Sequence, residues 1–92
     1  MNGQIQKPRI LVVDDDPELR ELLRDYLGRQ EMDVRTVADG PGLRAALEHD
    51  GCDLLILDVM LPGDDGLALC REIRARSRLP ILMLTARGDE LD

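Results

Sequence analysis

Leu54-Leu55-Ile56-Leu57-Asp58-Val59-Met60-Leu61-Pro62-Gly63 is an apolar run that delivers one carboxylate and then breaks. A run of this length closed by Pro and Gly reads as a strand buried on both faces, as in a parallel sheet. Asp58 stands at its end. A lone carboxylate is costly to bury, so Asp58 must face water at the strand's carboxyl edge or meet a cation or hydrogen-bond donors. In an open α/β sheet that edge is where ligands bind.

Working outward, Arg9-Ile10-Leu11-Val12-Val13 is a second β-branched run that ends in Asp14-Asp15-Asp16, which predicts another buried strand and a turn. Asp16 is placed to cap a helix whose first residue is Pro17. Leu19, Leu22, Leu23, Tyr26 and Leu27 follow at helical spacing and predict an amphipathic helix, with Gly28 as the stop. Residues 32–37 partly alternate, as in a short strand with one wetter side, possible at a sheet edge. Ala38-Asp39-Gly40 turns the chain, Pro41 starts a second helix with Leu43, Ala46 and Leu47 on one face, and Gly51 ends it. Beyond Asp58, a loop over 61–66 leads to a third helix with Leu67, Cys70 and Ile73 inward. Arg71, Arg74, Arg76 and Arg78 gather towards and past its C-terminus, where cations suit the helix dipole. Residues 79–84 predict a fourth strand, Thr85-Ala86-Arg87-Gly88 follows it, and 89–92 begin a further helix. This alternation predicts an α/β fold: parallel strands, right-handed crossovers and helices on both faces.

A chain of 92 residues makes one small domain, which buries about 60–65% of its unfolded surface. Its 43% hydrophobic and 34% charged residues suit a soluble globular protein rather than a disordered one. No apolar run approaches membrane-spanning length and no signal pattern opens the chain, so a cytoplasmic location is expected, with no membrane partner. Cys52 and Cys70 read as reduced packing residues rather than a disulfide. The net charge of −7 argues against direct nucleic-acid binding by this chain, and Tyr26, the only ring, offers no base-stacking platform. The acidity fits a cation site or a basic partner, and equally a solvated acidic surface.

Three polar clusters follow three apolar strands: Asp14 with Asp15, Asp58, and Thr85. Parallel strands bring all three to one edge of the sheet. Carboxylates about 4 Å apart repel by roughly 4 kcal/mol at an effective dielectric near 20, so such a cluster binds a divalent cation or shares a proton. An all-oxygen set with no His or Cys nearby favours Mg²⁺ over zinc or copper. An aspartate beside such a cation can act as a nucleophile towards a phosphoryl group, and the Thr85 hydroxyl could bond one of its oxygens. Taken singly, each residue has a plainer reading: Asp16 a helix cap, Asp14 and Asp15 turn residues, Asp58 a solvated turn former, Thr85 a strand-end residue.

Together, Val12-Val13-Asp14-Asp15-Asp16, Leu57-Asp58-Val59-Met60-Leu61-Pro62-Gly63 with Asp65-Gly66, and Met83-Leu84-Thr85-Ala86 closely resemble the receiver domain of two-component response regulators. The resemblance runs from Arg9 to Asp92 and is nearest to the subfamily that joins its receiver to a winged-helix DNA-binding domain. It implies a flavodoxin-like sheet and a signalling role rather than an enzyme. It makes Asp58 the phosphoacceptor for a phosphohistidine on a sensor histidine kinase. It also implies Mg²⁺ as cofactor, with Asp15 a direct ligand, Asp14 acting mainly through water, and Asp58 and the backbone carbonyl of Met60 completing the protein ligands. Thr85, and the backbone N–H of Ala86, would contact the phosphoryl group.

The family's fifth strand and fifth helix fall beyond this sequence. So do a lysine that pairs with the phosphoryl group and an aromatic switch residue. Lys7 is the only lysine, at the other end of the chain, and Tyr26 is no substitute for the switch. The expectation is therefore a loose N-terminus over 1–8 and a truncated receiver domain over 9–92, with four strands in the order 2-1-3-4 and three full helices. Strand Ile81–Leu84 would then be an exposed apolar edge and one sheet face partly uncovered, which predicts a homo-oligomer. Two other readings stay open. One is a phosphorylation-incompetent fragment acting only through protein association. The other is an aspartate-nucleophile phosphatase, which would need a second aspartate where Met60 stands.

Overall fold

In a computed structural model of the chain, which describes residues 6–61, 63 and 65–84, β1 (Arg9–Val13) lies between β2 (Asp33–Val37) and β3 (Leu54–Asp58). β4 (Ile81–Leu84) pairs with the far side of β3, so the sheet is parallel throughout in the order β2-β1-β3-β4. The order follows from the side chains. β1 and β3 are continuous apolar runs buried on both faces, whereas β2 exposes Asp33 and Arg35 and takes an edge. The chain order β1-α1-β2-α2-β3-α3-β4 is that of a flavodoxin-like α/β fold.

Two cores lie on the two sides of the sheet. Leu11, Val13, Leu55 and Leu57 pack with Leu43 of α2 (Gly40–His49) and with Leu69, Cys70 and Ile73 of α3 (Gly66–Arg76). On the opposite face Ile10, Val12 and Ile56 meet Leu23 and Leu27 of α1 (Pro17–Arg29). Among the described residues α1 covers that face alone, and it has no fully buried residue. The amphipathic helix is present as expected, and only part of its apolar stripe packs on the sheet. Leu22 and Tyr26 are 63% and 59% exposed, because one helix lying alone on a sheet covers only the narrow line of contact beneath it.

Gly28 does not stop α1. The helix continues to Arg29, and Glu31 takes the left-handed conformation (φ 63°). The Glu31 N–H donates to the Gly28 carbonyl and the Met32 N–H to the Leu27 carbonyl, a Schellman closure with Glu31 in the place usually held by glycine. A non-glycine residue there costs about 1–2 kcal/mol. Gly51 does end α2 as expected, at φ 69° with its N–H on the Ala46 carbonyl. β4 begins at Ile81 rather than at residue 79: Pro80 has no N–H to give the ladder, although its carbonyl accepts from Leu55.

α3 shows a further difference. Leu67 is 51% exposed, and the buried stripe is Gly66, Leu69, Cys70 and Ile73. Asp65 caps the helix through the Leu67 N–H, which sets the first turn so that Gly66 rather than Leu67 faces the sheet. Cys52 is half-buried and Cys70 buried, and both are free thiols; burial pushes the Cys52 thiol up. No helix among the described residues is long and apolar enough to cross a membrane. The sequence-predicted helix start at 89–92 lies outside the described residues. Residues 6–8 carry no regular structure, though the Pro8 carbonyl accepts from Asp33.

Candidate functional site

Register builds the site. Val13 pairs with Leu57, so the next residues, Asp14 and Asp58, leave adjacent parallel strands side by side. With Asp15 they bring one carboxylate oxygen each to within 4.8 Å of one another. Asp14 and Asp58 are only 4% and 8% exposed, while Asp15 is open to solvent.

The carboxylates are held rather than left to repel freely. One oxygen of Asp14 accepts the Asp16 N–H at 2.9 Å, and one oxygen of Asp58 accepts the Met60 N–H at 2.9 Å. The Asp14 N–H donates to the Val37 carbonyl of β2 at 3.1 Å, and the Val59 N–H to the Leu84 carbonyl of β4 at 3.1 Å. Among the described residues no buried side-chain oxygen or nitrogen lacks a hydrogen bond. The Asp14 carboxyl is nevertheless pushed above the usual carboxylate range, chiefly by burial and further by the charges of Asp58, Asp15 and Asp16, against the lowering effect of the Asp16 bond. Removing a proton from Asp14 thus works against its surroundings unless a cation arrives.

Asp16 has the plainer role its position suggested: it caps α1 through the Glu18 N–H at 3.0 Å. The Met60 side chain is 62% exposed and takes no part in the core, while its backbone N–H bonds Asp58. β4 ends in register with Asp58 at Leu84; Thr85 and Ala86 lie outside the described residues. Lys7 precedes β1 and lines a cleft with Arg9, Arg24, Asp33 and Asp53 at the opposite, amino-terminal end of that strand. Two further residues contribute to the site: Arg20, which the sequence reading missed, and Gly66, which it quoted only as part of the family motif. Arg20 donates to the Asp14 carbonyl at 2.7 Å, and Gly66 packs against the backbone of Val59. The bare spacing of Arg20 from Asp14 carries no signal of its contact; Gly66 belongs to the stripe shared with Leu69, Cys70 and Ile73.

The donor set fits a hard divalent ion. It is all oxygen, the kind of ligand Mg²⁺ takes, and the three carboxylates each bring an oxygen to within 4.8 Å of the other two. Mg²⁺ keeps several waters when protein ligands are few, which suits two buried carboxylates and one exposed one.

A parallel α/β sheet with an acidic cluster at the carboxyl ends of its two central strands belongs to the class of open-sheet domains that bind ligands at that edge. Within that class the chain matches the response regulator receiver domain family over residues 10–92, and it belongs to that family. It is 55% identical over 86 residues to the transcriptional regulatory protein GltR of Pseudomonas aeruginosa, covering 90% of this chain and 36% of that protein. The chain thus spans about a third of the length of the curated relatives it matches. The activated receiver domain of Klebsiella pneumoniae RstA superposes with a TM-score of 0.80 at 41% identity, over 85% of this chain and 67% of that one. A structure of the histidine kinase ThkA in complex with the response regulator protein TrrA matches with a TM-score of 0.82 at 36% identity, over 95% of this chain and 75% of that one.

Proposed function

We propose that this chain receives a phosphoryl group on Asp58 from a sensor histidine kinase and so controls an output, which the relatives' names suggest is transcription. The carrying observation is the approach of the Asp14, Asp15 and Asp58 carboxylates at the sheet's carboxyl edge. Asp58 is assigned as the nucleophile on the family resemblance; the Met60 N–H would anchor one of its oxygens while the other attacks. That oxygen forms a bond to phosphorus as the phosphorus–nitrogen bond of phosphohistidine breaks. The electron pair returns to the imidazole, and the product is an acyl phosphate.

Asp14 and Asp15, with Asp58 and the Met60 carbonyl, would hold Mg²⁺, which when bound neutralises charge on the transferring group. Thr85 and the Ala86 N–H are assigned to the phosphoryl oxygens on the family resemblance. The domain is a signalling acceptor rather than an enzyme, spans 9–92, and works inside the cell, where a regulator of transcription must act. Direct nucleic-acid binding by this acidic chain is not part of the proposal.

Incubating the protein with a small-molecule phosphodonor and Mg²⁺ should add one phosphoryl group to the intact mass, and a chelator should prevent it. Equal incorporation with and without the metal would refute the metal role, and no incorporation at all would refute the acceptor.

Self-association is the second element of the proposal. β4 has a neighbour on one side only among the described residues, and its Leu82 is 52% exposed. An apolar strand edge of this kind pairs readily with another chain. Light scattering after size-exclusion chromatography should give a mass above that of one chain, and a clean monomer at micromolar concentration would sink the idea.

A further inference from the structure

Asp14 is the point where β1 leaves the sheet. Its registered pairing with both neighbouring strands ends one residue earlier, at Val13. The Asp14 N–H finds the Val37 carbonyl at 3.1 Å, and its carboxylate takes the Asp16 N–H at 2.9 Å. Its carbonyl has left the ladder and receives instead the Nη1 of Arg20 at 2.7 Å. Arg20 is already fixed at its backbone, where its N–H donates to the Asp16 carbonyl at 3.0 Å in the first turn of α1. The side chain therefore reaches back along the helix axis to the strand end. The contact is short and its donor charged, which places it among the stronger hydrogen bonds.

The carbonyl of Asp14 and the N–H of Asp15 belong to one rigid peptide plane. Fixing that carbonyl fixes the direction in which Asp15 leaves the strand. Asp15 is exposed, so packing does not set its orientation towards the buried carboxylates of Asp14 and Asp58. The bridge is made through one guanidinium nitrogen, so it asks for a long side chain with a charged donor at its end.

We propose that Arg20 is a positioning residue for cation binding, holding the Asp14–Asp15 peptide so that the two aspartates and Asp58 present their oxygens to one divalent ion. This rests on the reading that those carboxylates hold Mg²⁺. Two effects of the guanidinium have opposite signs. As a brace it strengthens cation binding; as a nearby positive charge it weakens it. Outer-shell partners that orient metal ligands typically change affinity by about 10- to 100-fold, and the brace dominates.

The test is Mg²⁺ titration calorimetry on the intact protein and on Arg20→Met and Arg20→Lys, with urea unfolding of each. Arg20→Met should bind Mg²⁺ about tenfold more weakly, and Arg20→Lys, which keeps a donor and the charge, should recover most of the loss. Amide exchange at Asp15 in metal-free protein should accelerate in Arg20→Met. A brace for the helix alone would lower the urea midpoint without changing the affinity of the folded protein. Unchanged or tighter Mg²⁺ binding by folded Arg20→Met would overturn the proposal while leaving the metal site intact. Failure of the unaltered protein to bind Mg²⁺ would remove both.

Discussion

Asp58→Asn is expected to abolish phosphoryl incorporation while leaving the fold standing. The asparagine carbonyl can still accept the Met60 N–H that Asp58 holds at 2.9 Å, so the turn over residues 58–60 keeps its anchor. What is lost is the anionic oxygen that must form the bond to phosphorus, and a neutral amide does not replace it. Incorporation should fall from one phosphoryl group per chain to background in an intact-mass measurement. The same substitution removes one of three carboxylates that stand within 4.8 Å. Relief of that repulsion should stabilise the metal-free protein by on the order of 1 kcal/mol in urea unfolding. The two readouts thus move in opposite directions, which separates loss of chemistry from loss of fold. Incorporation by the variant equal to that of the unaltered protein would show that another residue is the acceptor.

The parallel strands were legible in the sequence because β1 and β3 are apolar runs, and the more polar β2 pointed to an edge, while the order 2-1-3-4 came from the family resemblance. The acidic cluster was legible because parallel strands end on one edge. The errors fall where local pattern yields to tertiary context. Leu22 and Tyr26 lie at helical spacing with Leu19 and Leu23, yet among the described residues nothing else packs on that face to cover them. Gly28 looked like a stop, but the closure is made by carbonyls accepting from Glu31 and Met32, and backbone hydrogen bonds leave no mark on the side-chain pattern. Arg20 was invisible for the same reason: its partner is a main-chain carbonyl. Arg35 offers the converse case. Its guanidinium pairs with Asp50 from a different element, holding that carboxyl below the usual range, and no spacing rule joins the two.

Gly66→Ala is expected to be the most damaging small substitution in the described chain. A Cβ at this position would lie 2.5 Å from the Val59 Cα, 2.7 Å from the Asp58 carbonyl oxygen and 2.9 Å from the Val59 carbonyl carbon. All three are backbone atoms, so no side chain can swing aside. Nor is that backbone free to retreat, because the Val59 N–H is bonded to the Leu84 carbonyl and the Val59 carbonyl accepts from Gly66 itself. Overpacking of this kind costs about 2–3 kcal/mol, and for a domain this small that corresponds to a fall in melting temperature of about 10–20 °C. If α3 backs away to make room, Leu69, Cys70 and Ile73 lose part of their packing on the sheet. If the segment after β3 yields instead, the turn that anchors Asp58 moves and phosphoryl transfer suffers in the protein that remains folded. Gly28→Ala is the control, since nothing lies within 4 Å of its would-be Cβ and alanine in a helix interior is favoured by about 1 kcal/mol. Equal melting temperatures for the two variants would mean that the contact between α3 and the Asp58 strand is not the close one described. A large separation in the stated direction ties the stability of the fold to the same few atoms that carry the acceptor.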